Sequence, residues 1–292
     1  MTKDIQLIKN LVAKNVSYLP NKSTPSGKRV SLVREFQDRL LVDLNNTNIN
    51  GKKWAKETLT HGGKNQDRID IYGTSPDNIL SYKSKYSIIN KVLEEDWVIE
   101  IDATRTDQIA KKLVSRLALV ALPKKTFNYA ALLYPKKGNS ENDCLKYGLY
   151  ANYLIKAINK NNNFYMIFVY PQDKENIKIY DFSQFSYKIY LGKKLMGEAD
   201  TMTGATIIAI SSYIETHKLK NYDELKEIFG KYILNTRGKS RYKKTDIISN
   251  DKKIIYTYTQ WRNNYGSAEN WPIFVNLCES LGINIETICK CL

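Results

Sequence analysis

The sequence predicts an α/β fold, a mixed central sheet flanked by helices, followed by a smaller C-terminal part. Three observations carry this reading. Several segments repeat apolar residues at helical spacing, and short apolar runs between them read as strands. Their order is helix, three strands, helix, strand, helix, strand. From about residue 200 that order gives way to two helices, a hairpin and a last helix. A strand followed by a helix and another strand implies a right-handed crossover, hence parallel or mixed pairing at the sheet centre. Helices on both faces follow from it.

The first helix is read from RVSLVREFQDRLLVDLNN, after the turn-rich NKSTPSGK at 21–28. Leu32, Val33, Phe36, Leu40, Leu41 and Leu44 recur there at helical spacing. KKWAKETLT and DRIDIYG alternate as strands, with HGGKNQ as the turn between them. His61, beside Gly62 and Gly63, is read as an incidental loop residue. Residues 74–95 are read as looser chain. DWVIEID, at 96–102, is a strand because Val98, Ile99 and Ile101 favour extended backbone. DQIAKKLVSRLALVA is a helix: Asp107 stands in its first turn, Ile109, Leu113, Val114 and Leu117 form a face, and Pro123 stops it. FNYAALLYP is a short apolar strand, ENDCLKYGLYANYLIKAIN a helix and NFYMIFVYP a buried strand.

Beyond residue 200, TGATIIAISSYIETHK and NYDELKEIFGKYIL read as two helices joined by a short polar turn. TDIISNDKKIIYTYTQW reads as a hairpin turning at Asn250 and Asp251. SAENWPIFVNLCESLG is a last helix, capped by Ser267 and stopped by Gly282. Helix, helix, hairpin is the order a winged helix-turn-helix requires. The division therefore falls into residues 1–199 and residues 200–292. Between the second helix and the hairpin lies NTRGKSRYKK, with Arg237, Lys239, Arg241, Lys243 and Lys244. That loop is either a solvated basic surface or a DNA contact.

Charge points the same way. The formal net charge is +15, which favours a polyanionic partner, although a Lys-rich background composition gives the same number. Four cysteines, Cys144, Cys278, Cys289 and Cys291, make no CxxC pair, and only His61 and His217 accompany them. A structural zinc site needs four ligands at tight spacings, so zinc is rejected and the thiols are read as reduced, in a cytoplasmic protein. No apolar run approaches the roughly 20 residues of a membrane span. MTKDIQLIKN lacks the apolar stretch of an export signal.

The acidic residues are where chemistry is expected. Glu100 and Asp102 lie two apart on one strand and so share a face. Asp70 joins them if its strand pairs with theirs. Three crowded carboxylates repel, and a hard divalent ion such as Mg²⁺ relieves that while leaving room for waters and substrate phosphate. Directly after the strand come Arg105, Gln108, Lys111 and Lys112, a basic block suited to a phosphate. On a helix, Gln108, Lys112 and Arg116 share one side. Blander readings stand beside these: Asp70 as a strand-end turn acid, and Glu100 as half of a salt bridge to Arg105 or Lys112.

Over about residues 29 to 170 the chain resembles the PD-(D/E)xK nuclease superfamily, the restriction-endonuclease-like fold. Its core runs helix, three strands, helix, strand, with an Asp on the second strand and (D/E)-x-K on the third. Asp70 in RIDIYG matches the first acid and Glu100 the second. The position of the family Lys is Asp102, so the strand reads E-I-D. The resemblance implies Asp70, Glu100, Asp102 and Glu35 of VREFQDR as metal ligands for Mg²⁺. It implies that Lys112, or else Lys111, replaces the strand Lys, with Lys56 as another donor. Arg105, Gln108, Arg116 and the loop cations Arg237 to Lys244 would contact DNA. The ending YTYTQW…NWPIFVNLCESLGINI resembles a small C-terminal module of bacterial DNA-processing proteins.

The implied function is hydrolysis of phosphodiester bonds in double-stranded DNA by a metal-dependent endonuclease. The closest class is a type II restriction enzyme of a bacterial restriction-modification system. A palindromic site would call for a homodimer. Two other readings stay open: a non-catalytic DNA-binding protein on a degenerate nuclease core, and a repair or mobile-element nuclease.

Overall fold

A computed structural model describes residues 2–21, 23–59, 68–82, 86–89, 93–102, 126–134, 141–171 and 173–182, with 211, 214 and 282 beyond them. The expected helix after Asp102, the division at 199/200 and the helix–helix–hairpin order fall outside the described residues. Contacts divide the chain into two compact units, one of 1–109, 125–148 and 161–185, the other of 110–124, 149–160 and 186–292. The sheet belongs to the first.

Two helices open the chain. In α1 (Lys3–Asn15), Ile5, Ile8 and Val12 fall at spacing three and four and are fully buried. In α2 (Ser26–Thr47), Phe36, Leu40 and Leu44 make the buried stripe. Asn48 ends α2 in the left-handed conformation at φ 49°, which Asn tolerates better than most residues.

Eight strands form one sheet in the order β3-β4-β1-β2-β5-β6-β7-β8. They are β1 (Lys53–Leu59), β2 (Arg68–Thr74), β3 (Ile79–Tyr82), β4 (Tyr86–Ile89), β5 (Asp96–Asp102), β6 (Phe127–Leu133), β7 (Asn163–Val169) and β8 (Ile177–Asp181). β5, β6 and β7 run parallel, the pairing expected at the sheet centre. β2 is antiparallel to both β1 and β5. Parallel strands covered on both faces read as continuous apolar runs, and all of FNYAALL in β6 is buried. The mixed sheet of the α/β expectation is therefore present.

One face of the sheet holds the main core. Trp54, Ile71, Trp97, Ile99, Ile101, Ala130, Leu132, Tyr165 and Ile167 cluster there with the buried stripes of α1 and α2. A fully buried Ile or Leu in this cluster contributes roughly 1.5–3 kcal/mol. Strand alternation sends Asp70, Tyr72, Asp96, Val98, Glu100 and Asp102 to the opposite face. On that face Gly148 of α3 (Glu141–Ile158) comes so close that a methyl group there would strike Met166 and lie 2.7 Å from Phe182. The start of α3 is tied to the sheet edge by Glu141. Its carboxylate accepts hydrogen bonds from Tyr170 Oη (2.7 Å), Lys178 Nζ (3.0 Å) and Tyr180 Oη.

Four elements depart from the sequence expectation. α1 is a helix where only the absence of an export signal was read. The looser stretch at 74–95 holds β3 and β4, each only four residues long and too short for an alternation pattern to register. β8 follows Tyr170 and completes the edge.

Candidate functional site

The site is built where three neighbouring strands stop pairing regularly. β2 and β5 pair through Ile71↔Ile99, Tyr72↔Val98 and Gly73↔Trp97. The next step would set Asp70 opposite Glu100, but the ladder ends there. Instead the Asp70 carboxylate accepts the backbone N–H of Ile101 at 2.7 Å, a side chain taking the place of a ladder bond. Ile101 lies between Glu100 and Asp102 in the chain, so this contact sets the Asp70 carboxylate on the backbone between those two acids.

β1 departs at the same level. Its register with β2 runs through Lys56↔Ile71 and resumes at Thr58↔Ile69, skipping the pair Glu57–Asp70. Glu57 has φ 49°, a local break of the kind that frees a partner's backbone group. The Asp70 carbonyl finds its donor in α2, where the buried Gln37 gives Nε2–H at 2.5 Å. Asp70 is thus held twice, by its carbonyl to α2 and by its carboxylate to β5. Sequence reasoning missed Gln37, although its spacing of four from Val33 and Leu41 and three from Leu40 places it beside the apolar stripe.

Glu100 is 2% exposed and Asp102 half-buried. Their neighbours on β6 are Ala131 and Leu133. Ala131 adds little bulk beside Glu100.

A second polar cluster lies further along the same face. Asp96 Oδ2 accepts from Tyr72 Oη at 2.6 Å and from the Leu93 N–H at 2.8 Å. Burial raises the Asp96 carboxyl above its ordinary range, against the hydrogen bonds from Thr74, Tyr72 and Leu93 that favour its charged form. Burial, then the Asp96 charge, pushes the Tyr72 phenol well above its ordinary value. Asn78 donates to Thr74 Oγ1 at 2.9 Å and closes the cluster. Asp96 Oδ2 and Thr74 Oγ1 are thus engaged within the cluster, whereas Asp96 Oδ1 is buried without a hydrogen-bond partner among the described residues.

Two expected side chains are engaged elsewhere. Glu35 lies on the outer side of α2, 45% exposed, and accepts from Arg39 at 3.0 and 3.1 Å. The α2 residue that reaches Asp70 is Gln37, not Glu35. Lys56 stands opposite Ile71, on the α2 face of the sheet, and its ammonium pairs with Asp38. Arg105, Gln108, Lys111, Lys112 and Arg116 lie outside the described residues, as do His61, Arg237, Lys239, Arg241, Lys243 and Lys244.

The donor set is all carboxylate oxygen, which suits a hard ion and not zinc. Among the described residues no group of three or more His, Cys, Asp or Glu side chains is gathered into a ready cage. Mg²⁺ does not need one, because it takes one or two carboxylates and completes its shell with water and substrate phosphate oxygens. The free thiol of Cys144 is buried. Among the described residues no helix is long and apolar enough to cross a membrane. Comparison of the chain with protein-family models, with curated proteins and with solved structures finds no match.

Proposed function

We propose that the chain is a Mg²⁺-dependent endonuclease acting on double-stranded DNA, of the restriction type that the PD-(D/E)xK resemblance implies. One observation carries this reading: the Asp70 carboxylate sits on the Ile101 amide, between Glu100 and Asp102, where β2 and β5 part. Where the ladder ends, the Asp70 carboxylate is held on the β5 backbone next to Glu100. Asp70 is oriented by Gln37 and Ile101, and Glu100 is fixed by burial in the central strand. Crowded carboxylates gain most from a cation, and these are the proposed ligands, with Asp102 beside them. Bound Mg²⁺ would supply activation of water and stabilisation of charge on the phosphate. Lys112, or Lys111 second, is the proposed cation on the developing oxyanion, because Asp102 stands where the family has its strand Lys. Arg105, Gln108 and Arg116 are the proposed phosphate contacts around it.

The test is cleavage of supercoiled plasmid with and without Mg²⁺. Asp70→Asn and Glu100→Gln are expected to abolish cutting while DNA binding persists, since neither residue supplies positive charge. Cutting at the wild-type rate by either variant would show the site to be wrong. The E-I-D strand itself favours a second reading, a DNA-binding protein on a degenerate nuclease core. That reading expects DNA binding unaffected by Mg²⁺ and no cleavage by the unsubstituted chain.

A further inference from the structure

The outer face of α2 has a pattern that matches itself. Val30, Arg34, Asp38 and Val42 follow one another at spacing four, so they form one outward stripe, and all four are exposed. Val30 is 61% and Val42 57% exposed, and only Leu80 joins them as a large apolar side chain so open among the described residues. A groove runs along this stripe, with Lys14 of α1 on its border. The two valines are symmetric about Phe36, and so are the arginine and the aspartate.

We propose that this stripe pairs antiparallel with the same stripe of a second copy of the chain, across a two-fold axis level with Phe36. A two-fold contact sets residue i on j and j on i. Val30 then meets the partner's Val42, and Arg34 meets the partner's Asp38, each contact made twice. Apolar ends and charge-paired centre are satisfied together. The parallel alternative sets Arg34 on the partner's Arg34 and Asp38 on the partner's Asp38, which like-charge repulsion rejects. A one-residue slip of the antiparallel pair sets Arg34 on the partner's Arg39 and Glu35 on the partner's Asp38, again like on like. The charges therefore favour the antiparallel orientation over the parallel one and this register over that slip. Asp38 is already steadied by Lys56 and, as a carboxylate, has further lone pairs for a second donor. An unrelated partner would need no such symmetry in the stripe, and a second copy does. This inference does not depend on the nuclease reading, because self-association is measured without DNA.

The experiment is sedimentation of the full chain over a range of concentrations. The unsubstituted chain is expected to dimerise, and Arg34→Asp to raise the dissociation midpoint by more than about tenfold. The double variant Arg34→Asp with Asp38→Arg inverts both pairs and is expected to restore the dimer. All these side chains are exposed, and circular dichroism of each variant checks that the fold is kept. Oxidative cross-linking tests the register. Val30→Cys mixed with a tagged Val42→Cys is expected to give the mixed disulfide. Either variant alone is expected to give no more cross-link than the unsubstituted chain, because like positions are about 18 Å apart at about 1.5 Å rise per residue. A chain that stays monomeric, a dimer indifferent to Arg34→Asp, or cross-linking of each cysteine variant with itself overturns the proposal.

Discussion

Gln37 is the residue on which the geometry at Asp70 turns. Glu57 leaves the extended conformation opposite Asp70, and Gln37 supplies the donor that the Asp70 carbonyl takes. Gln37→Met keeps the volume and removes that donor. A buried carbonyl left without its partner costs about 1–3 kcal/mol, so denaturant unfolding should register a loss of that size. If the proposed site is right, the cleavage rate should fall by more than DNA affinity does, because Asp70 moves while the cations do not. Unchanged stability would show that the hydrogen bond contributes nothing, and an unchanged rate with lowered stability would confine Gln37 to folding. At this scale the sequence was legible only in part. That Asp70 lies beside the strand of Glu100 and Asp102 could be expected from period-two geometry and one assumed strand pairing. That Gln37 rather than Glu35 reaches them depends on the rotation of α2, and two hydrophilic side chains two apart on a helix give no sign of which faces inward until the core stripe is fixed.

Among the elements, the approach of α3 to the sheet edge shows electrostatics and packing acting together. Burial works to raise the Glu141 carboxyl, but hydrogen bonds from Tyr180, Tyr170 and Lys178 outweigh it, and the group titrates below its ordinary 4.5. The Tyr170 phenol is pushed up to about 12 by burial and by the same carboxylate. Between the folded-state pKa of Glu141 and 4.5 the unfolded chain binds more protons, so stability rises with pH through that window. The contribution is complete above 4.5 and lost as pH falls through the folded value. Glu141→Gln should therefore lower stability at neutral pH by about 1–3 kcal/mol, the scale for hydrogen bonds to a charged group. The gap to the unsubstituted chain should narrow in acid, and urea unfolding at both ends of the range measures it. A gap that is constant with pH would assign the effect to packing. Long periodic elements such as α2, β5, β6 and β7 were readable because each buries a full face. β8 was not, since in IKIYD only Ile177 and Asp181 are buried, too little for a pattern.

For the molecule as a whole, charge is the property that links fold to partner. A net charge of +15 spread over 292 residues gives attraction to any polyanion, and the fold alone does not say where a duplex would lie. Salt dependence separates a diffuse field from a docked surface. A protein that neutralises a fixed set of phosphates loses affinity with a log–log slope near −0.9 for each of them, whereas a diffuse field gives weak binding that salt erases. The basic segment from Arg237 to Lys244 is the densest cationic run in the second part of the sequence, and we propose it as the DNA contact there. Neutralising Arg241, Lys243 and Lys244 together should lower the magnitude of the slope by up to about 2.7, three contacts at about 0.9 each. Filter binding or fluorescence anisotropy over a salt series measures it. The carboxylate variants of the site should leave the slope unchanged, since they remove no cation. A slope that survives loss of these three cations would move the DNA surface to the segment after Asp102, whose Arg105, Lys111, Lys112 and Arg116 would have to carry it.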